Sequence, residues 1–335
     1  MIHRTEPAWQ TPVWQQSLNG AFNDVEALFD YLELDKSLLP ASLASAKAFR
    51  LKVPRGYAEL ITKGDPNDPL LLQVLPRGVE LEDAPGFTTD PLGELKRREG
   101  PGVLQKYQGR ALMLATAACG INCRYCFRRH YPYGDDPAHR EQWQPALDYF
   151  RENNDISEVI LSGGDPLSLS DDTLRDLVEA LAEIPHVRRL RIHSRLPVVL
   201  PERITGELLD LLGDSWLQPV MVLHVNHPRE LSDAALEALS ALNTSGVTLF
   251  NQSVLLKGVN DDPEILARLS ESLFAARVIP YYLHLLDRVQ GATHFEVSQE
   301  QARKTYQDLR KMVPGYLLPR LVRDDGELPY KLPIL

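Results

Sequence analysis

From residue 111 onward, short apolar runs alternate with amphipathic segments, and this alternation limits the folds open to the chain. Segments of helical periodicity separate the runs, for example at 172–184 and 232–242, where Asp171 and Ser232 are the expected N-caps. Continuous apolar strands that alternate with helices predict an α/β fold in which right-handed crossovers join parallel strands. The predicted strands are 111–116, 157–162, 189–194, 219–225, 247–253 and 280–286.

Polar residues follow directly after each of these six strands. Periodicity alone leaves both an open doubly wound sheet and a partial barrel possible, but α/β barrels build their sites at the carboxyl ends of the strands. We therefore expect a barrel-like mouth around one shared site. The polar positions are Cys119, 163–165, 193–195, His224, Asn226, Asn251, Gln252 and Asp287.

The first hundred residues have a different character. Helical patterns at 22–34 and 42–49 precede a stretch rich in proline, which breaks regular structure, between residues 66 and 101. The sequence thus predicts an N-terminal, mainly helical or irregular extension (1–100), a core barrel (101–297) and a short C-terminal segment that begins with a helix (298–335).

Composition excludes several classes of protein. Lys and Arg number 36 against 46 Asp and Glu, and the resulting net charge of −10 argues against a general nucleic-acid binder. No apolar run reaches the roughly 18 residues that span a bilayer, and the first residues do not resemble a signal peptide. Three cysteines are too few for a disulfide framework. We expect a cytoplasmic protein without a membrane or nucleic-acid partner.

All three cysteines, Cys119, Cys123 and Cys126, lie within eight residues. Three thiolates at this spacing can converge on one soft metal centre. A structural zinc ion with His130 as fourth ligand is the main alternative, although zinc spacings usually come as CxxC pairs. Three ligands on a cubane cluster leave one iron open to a small molecule.

The CxxxCxxC spacing, with Tyr125 before the third cysteine, resembles the motif of the radical S-adenosylmethionine (SAM) superfamily. The resemblance implies a partial (β/α)6 barrel similar to the TIM barrel and a [4Fe-4S] cluster on the three cysteines. SAM on the open iron is then cleaved to methionine and a 5′-deoxyadenosyl radical. The resemblance also places Gly163, Gly164 and Asp165 at the SAM amino group and Gln252 near SAM. A tight βα turn and a buried amide are the structural alternatives.

Further segments, among them 123–130, 224–228 and 251–261, resemble lysine 2,3-aminomutase from about residue 88 to the C-terminus. This resemblance implies pyridoxal 5′-phosphate (PLP), held as a Schiff base on Lys331. A lysine amine suits this role because a substrate amine can replace it. Tyr107 and Arg110 are implied near PLP and its phosphate, and Lys106 stands where the family tends to carry an arginine.

The same resemblance assigns the substrate contacts. Arg128 matches the arginine that binds the substrate carboxylate, for which a bidentate fork is suited. Asp287 and Asp324 match the two acids that hold the ε-ammonium group. The implied reaction is the conversion of L-α-lysine to β-lysine by 5′-deoxyadenosyl radical chemistry, with PLP as nitrogen carrier.

Length favours one branch of the family. Catabolic aminomutases have extra terminal segments, whereas four residues follow Lys331 here. The short form resembles the branch that makes (R)-β-lysine for a ligase that attaches it to elongation factor P. The expected partners are L-lysine, an electron donor such as flavodoxin or ferredoxin, and a functional link to that ligase. The alternatives are a catabolic or osmolyte lysine 2,3-aminomutase, a radical SAM enzyme without PLP, and a non-catalytic zinc-binding adaptor.

Overall fold

The strands predicted from the sequence form the centre of one mixed sheet. In the computed structural model, which describes residues 11–135 and 143–334, ten strands lie across this sheet in chain order. Strands β3 to β9 pair in parallel with their neighbours, whereas β1–β2, β2–β3 and β9–β10 are antiparallel. The strands are β1 (Arg98–Gly100), β2 (Val103–Tyr107), β3 (Arg110–Thr116), β4 (Glu158–Gly163), β5 (Arg189–Ser194), β6 (Gln218–Leu223), β7 (Thr248–Val254), β8 (Ile279–His284), β9 (Arg320–Arg323) and β10 (Leu332–Pro333).

The six predicted strands correspond to β3 to β8, and the α/β class with a partial barrel is confirmed. A doubly wound sheet reverses its strand order at a switch point, whereas a barrel keeps chain order. Chain order is kept here, and β1 and β10 stand at the two ends of the order, so the barrel is open. The sequence did not predict β1, β2, β9 and β10, which are two to five residues long.

Helices flank the parallel strands as the alternating pattern predicts. Those of the first hundred residues are α1 (Val13–Asn19), α2 (Val25–Tyr31), α3 (Leu39–Ala48), α4 (Arg55–Glu59) and α5 (Pro69–Leu72). The remaining helices are α6 (Gln144–Glu152), α7 (Asp171–Ala182), α8 (Leu196–Val199), α9 (Gly206–Asp214), α10 (Asp233–Thr244), α11 (Pro263–Ala275) and α12 (Gln299–Met312).

One of the two predicted N-caps is confirmed. The Ser232 hydroxyl accepts a hydrogen bond from the backbone N–H of Ala235 at 3.2 Å and caps α10. The prediction for α7 was wrong by one residue, because Ser170 accepts from the N–H of Thr173 at 3.2 Å and is the cap. Asp171 is instead the first helical residue and forms an ion pair with the buried Arg203.

The first hundred residues share a hydrophobic core with the barrel. Phe29 from α2, Tyr57 from α4 and Leu70 from α5 are buried in the same cluster as Met113 of β3 and Leu161 of β4. Burial of this apolar surface fixes the extension against the barrel. None of the helices in the described ranges is long and apolar enough to cross a membrane. The expectation about a signal peptide concerns residues 1–10, which lie outside the described residues.

Candidate active site

The three cysteines lie on the loop that follows β3, and each is a partly exposed free thiol. Burial raises the pKa of the Cys119 thiol well above its ordinary value, and Cys126, Asp165 and Cys123 raise it further. Burial together with Cys123 raises the pKa of Cys126 to about 11. Neighbouring thiols that oppose one another's ionisation fit a centre whose cationic metal stabilises the thiolates.

Buried ion pairs join the cysteine loop to Glu80 in the first hundred residues. The guanidinium of Arg124, which is fully buried, donates from Nε to Oε1 of Glu80 at 2.9 Å and from Nη2 to Oε2 at 2.5 Å. Arg129 donates to the same Oε2 at 2.8 Å. On the other side of the loop, Lys52 donates to the carbonyl oxygen of Cys119 at 2.8 Å. The extension therefore shapes the cysteine loop.

A further arginine contacts a cysteine directly. Nη1 of Arg195 donates to Sγ of Cys123 at 2.8 Å, and Nη2 is paired with the buried carboxylate of Glu230 at 2.7 Å. The Nε atom of Arg195 is buried and has no acceptor among the described residues. Buried donors are nearly always paired. This orphaned N–H and the three thiols together fit a bound metal cluster.

The contacts of His130 do not support the zinc alternative. Nε2 of His130 lies 3.1 Å from the carbonyl oxygen of Gln290. Within the described residues, no group of three His, Cys, Asp or Glu side chains, the three cysteines included, is arranged to hold a metal ion, so this finding does not distinguish the two kinds of site. A cluster places its ligands around several irons and so differs from a tetrahedral zinc site.

Gly163 and Gly164 lie against the backbone that leads into the cysteine loop. Gly163 has a φ of +109°, and a Cβ there would lie 2.6 Å from the carbonyl oxygen of Thr116. A Cβ on Gly164 would overlap the carbonyl of Ala118, the residue before Cys119. The backbone N–H of Gly164 donates to Thr116 at 2.7 Å. Glycine is thus required because two chain segments approach closely here.

Asp165 joins three segments through its carboxylate. Oδ1 accepts from the hydroxyl of Ser194 at 2.7 Å and from the N–H of Leu167 at 3.0 Å. Oδ2 accepts from the N–H groups of Arg195 and Leu196 at 2.8 and 3.2 Å. Burial raises the pKa of Asp165, while these hydrogen bonds lower it. In this structure the carboxylate organises the scaffold, and its contact with SAM stays a prediction.

Lys331, which directly precedes β10, belongs to a group of charged side chains. Its Nζ lies 2.5 Å from Oδ2 of Asp324, and Lys106 pairs with the other oxygen of the same carboxylate. Lys106 also donates to the carbonyl oxygen of Asp325 at 2.5 Å. Burial is the largest single influence on the pKa of Lys331 and lowers it, but Asp324, Tyr107 and Asp287 together raise it above its ordinary value. Strands β2, β9 and β10 thus bring these predicted residues together.

Tyr107 and Arg110 lie beside this group. The guanidinium of Arg110 is 4.3 Å from the centre of the Tyr107 ring, and Nζ of Lys106 is 5.4 Å from it. Burial raises the pKa of Tyr107, and the positive charge of Lys331 partly opposes this rise. Nζ of Lys331 also lies 5.7 Å from the ring centre of Tyr282. The residues predicted around PLP therefore form one cluster.

Asp287, which follows β8, faces the same charged group. Burial and the carboxylate of Asp324 raise its pKa to about 7, although Lys331 and Lys106 oppose this rise. No hydrogen-bond donor reaches its carboxylate within the described ranges. An acid in this setting gains strongly from a bound cation.

Arg128 points toward a carboxylate that the sequence did not predict. Its Nε and Nη2 donate to the two oxygens of Glu94 at 2.7 and 2.6 Å. Nη1 donates to the hydroxyl of Ser162 at 2.9 Å. Both charged side chains are largely buried. The fork predicted for the substrate carboxylate is thus held by Glu94 in this structure.

Three histidines lie in the same part of the barrel as Arg128 and Lys331. Burial lowers the pKa of His193, His224 and His284, that of His224 to about 4, so all three are neutral near pH 7. The charges of both Lys331 and Arg128 lower the pKa of His193 further. Both Arg128 and Lys331 are therefore close enough to His193 for their charges to act on it. Gln252 lies there as well, with Nε2 2.9 Å from Nε2 of His224.

Comparison with known proteins shows the family to which the chain belongs. The sequence model of the Radical SAM superfamily matches residues 113–269. The chain is 48% identical over 318 residues to the L-lysine 2,3-aminomutase of Haemophilus influenzae, across 95% of this chain and 94% of that protein. The enzyme of the same name from Escherichia coli is 47% identical over 322 residues, across 96% of this chain and 94% of that protein.

This chain belongs to the L-lysine 2,3-aminomutase family of radical SAM enzymes. The namesake from Clostridium subterminale is more distant, at 37% identity across 96% of this chain and 77% of that protein. Lysine 2,3-aminomutases are isomerases, so the predicted enzyme class is confirmed and the non-catalytic adaptor is wrong. The family membership also brings the expected [4Fe-4S] cluster and SAM.

Sequence reasoning missed several residues around this aminomutase site. Glu94 and Glu80 lie in irregular segments without a motif, and each pairs with an arginine 34 or more residues away. Arg195 was noted only as a polar residue after a strand. A usable signal was the unusual arginine content of 124–129, since buried arginines require buried acids.

Proposed function

We propose that this protein is an L-lysine 2,3-aminomutase that makes (R)-β-lysine, with PLP carried on Lys331. The observation that carries the proposal is that Arg128 and the Lys331 group lie near one another around His193. The charges of both residues act on His193. An α-amino acid with a second ammonium group needs a cation at one end and acids at the other. Arg128 provides the first, and Asp287 and Asp324 provide the second.

The cofactors have residues that fit them. Cys119, Cys123 and Cys126 would hold the [4Fe-4S] cluster, whose bound form supplies the electron that cleaves SAM. Lys331, with Tyr107 and Arg110 beside it, would hold PLP, which supplies an aldehyde for the migrating nitrogen. The contact of Arg195 with Cys123, and the rise in the pKa of Cys119 caused by Cys126 and Cys123, support the cluster. The buried amine in a polar cluster supports PLP.

The acids at the Lys331 end have different roles before substrate binds. Asp324 is already paired with Lys106 and Lys331, so it holds the carrier lysine in place. Asp287 receives no hydrogen bond from the described residues and has a raised pKa. The ε-ammonium of lysine would bind Asp287 in its ionised form and lower that pKa. Asp287 is therefore the acid through which the site distinguishes lysine from a neutral amino acid.

The neutral histidines suit radical chemistry. His193, His224 and His284 present uncharged imidazoles to the interior because burial lowers the pKa of each. They lie near the carboxyl end of β5, directly after β6 and at the end of β8, and the rings of His193 and His224 are 6.0 Å apart. Uncharged walls leave the carboxylate and ammonium groups of the substrate to the charged residues at the two ends.

The destination of the product is the finer part of the proposal. We assign this chain to the branch that supplies β-lysine to an elongation factor P lysyl-ligase, with flavodoxin or ferredoxin as electron donor. Three relatives are 42–48% identical to this chain, which covers 91–94% of their length. The Clostridium subterminale enzyme is 37% identical, and the chain covers 77% of its length. The closer match in identity and length supports this branch. A cytoplasmic location, argued from the cysteine count, stays a prediction.

The deciding experiment is anaerobic reconstitution with iron, sulfide and PLP, followed by SAM, dithionite and L-lysine. We expect (R)-β-lysine by chiral chromatography with mass detection. Cleavage of SAM without β-lysine would contradict the lysine substrate, and the (S)-isomer would contradict the elongation factor P branch. In the cell, loss of the gene is expected to remove the β-lysyl mass from elongation factor P.

The carrier lysine can be tested separately. Borohydride reduction of the PLP-loaded protein is expected to fix a pyridoxyl group on the peptide that contains Lys331. Lys331→Ala should abolish this label, whereas Lys311→Ala, at an exposed ion pair with Asp308, should retain it. Label on another lysine in the wild-type protein would contradict the assignment.

A further inference from the structure

The buried side chain of Arg195 places its guanidinium in contact with the sulfur of Cys123. Arg195 follows β5 directly, its side chain is 5% exposed, and Nη1 donates to Sγ of Cys123 at 2.8 Å. Its backbone N–H donates to Oδ2 of Asp165 at 2.8 Å, which fixes the start of α8. Side chain and backbone are thus both anchored beside the cysteine loop.

Residues from two segments distant in sequence accept hydrogen bonds from Nη2 of this guanidinium. Nη2 donates to Oε2 of Glu230 and Oε1 of Gln73, both at 2.7 Å, and to the hydroxyl of Tyr57 at 3.3 Å. Glu230 and Gln73 are fully buried. Water therefore cannot replace these contacts, and the positive charge of Arg195 stays against Cys123.

The Nε atom of Arg195 is buried without an acceptor among the described residues, as are the Nε atoms of Arg129 and Arg191, although the other nitrogens of the same group are paired. Because Nη1 of this guanidinium contacts Sγ of Cys123, the Nε–H is free to donate to a group bound at that cysteine.

We propose that Arg195 sets how easily the cluster at Cys119, Cys123 and Cys126 is reduced. In that step the oxidised cluster takes one electron from an external low-potential one-electron donor, and the donor leaves oxidised. No bond forms or breaks, no proton moves, and the cluster gains one negative charge. A buried cation that hydrogen-bonds to a ligand sulfur stabilises the more negative state. The proposal rests on the cluster of the proposed function, but not on lysine or PLP.

Glu230 weakens the effect of Arg195 because it pairs with the same guanidinium. Removal of the arginine charge and removal of the glutamate charge therefore shift the reduction midpoint in opposite directions. A purely structural role of the pair does not produce opposite shifts.

The test is an anaerobic redox titration of the iron- and sulfide-reconstituted protein, without SAM or lysine, followed by electron paramagnetic resonance. At the wild-type midpoint, Arg195→Met is expected to lower the ratio of reduced to oxidised cluster at least tenfold, equivalent to 59 mV for one electron. Arg195→Lys keeps the charge and is expected to lower it less. Glu230→Gln is expected to raise the ratio. Arg203→Met is the matched control, because Arg203 is equally buried but pairs with Asp171 and backbone carbonyls.

Two results overturn the proposal. One is an unchanged midpoint in Arg195→Met with full iron and sulfide content, and the other is a shift of the same sign in Glu230→Gln and Arg195→Met. Where Arg195→Met does not fold, the sign of the Glu230→Gln shift decides. A wild-type protein that binds no iron and sulfide contradicts the cluster itself and with it the proposed function.

Discussion

Glu94 and Arg128 form a two-armed ion pair, with N–O distances of 2.6 and 2.7 Å, in the place predicted for the substrate carboxylate. A carboxylate of the chain therefore makes the contacts that a bound amino acid requires. The negative charge of Glu94 also contributes to the raised pKa of Asp287 at the other end of the site. We predict that a substrate carboxylate replaces Glu94 on Arg128, and this exchange would then affect both ends.

Glu94→Gln is expected to lower the KM for lysine by about tenfold, because the substrate carboxylate no longer competes with a charged group for Arg128. The variant leaves a buried arginine unpaired and should be less stable without substrate. Added lysine should therefore raise the melting temperature of Glu94→Gln more than that of wild type. A KM that is unchanged or higher would contradict this exchange.

Asp287 predicts a pH dependence of lysine binding. Its pKa of about 7, raised by burial and by Asp324, means that the ionised form becomes scarcer by tenfold per pH unit below about 7. We expect kcat/KM for lysine to rise with pH up to about 7 and then level off. Asp287→Asn should remove this dependence and lower kcat/KM.

Asp287 also affects the stability of the fold, and its contribution to stability falls as the pH rises, whereas kcat/KM for lysine is expected to rise. A carboxyl with a raised folded-state pKa favours the fold below its unfolded pKa of about 3.9, and this contribution is lost as the pH rises through about 7. Relative to wild type, Asp287→Asn should therefore gain stability between pH 5 and 8 in urea denaturation. No gain would show that the carboxyl titrates near its ordinary pKa.

Gly164→Ala is expected to lower the iron content per chain while the protein remains folded. The added Cβ would lie 2.8 Å from the carbonyl carbon of Ala117 and overlap Ala118, and both are backbone that leads into Cys119. Gly206→Ala is the control, because nothing lies within 4 Å of a Cβ at that helix start. Iron analysis with circular dichroism checks the prediction, and equal iron in both variants would contradict it.

Glu80→Gln is expected to destabilise the protein by about 3–5 kcal/mol, because two buried arginines lose their shared counter-charge. The measurement is the free energy of unfolding in urea. Asp308→Asn, at the exposed pair with Lys311, should leave it unchanged within error. Equal values for the two variants would show that the buried pair contributes little.

Local patterns predicted the central strands and the cysteine loop because both depend on neighbouring residues. Strands β3 to β8 follow from apolar runs, and the thiols follow from spacing alone. The cap of α7 was misplaced because Ser170 and Asp171 are both good capping residues, and a pattern does not distinguish adjacent candidates.

The remaining parts of the site depend on contacts between distant residues. Lys331 was singled out only through a resemblance, since a lone lysine carries no local signal, and its neighbours come from β2 and from Asp324, which follows β9. Glu94 lies in a 3-10 turn, and its pairing with Arg128 results from the way the extension packs on the barrel. Periodicity contains no information about such pairings.

The hairpin of β9 and β10 is the last part of the sheet to be synthesised. Lys106 and Asp324 are 218 residues apart in sequence, and Asp324 joins Lys106 to Lys331. A ribosome that has delivered β1 to β8 has made the cysteine loop and most of the barrel, but not the lysine at position 331. A nascent chain therefore passes through most of translation with its cysteine loop and Lys331 still unconnected. The two come together only when the hairpin docks on β8.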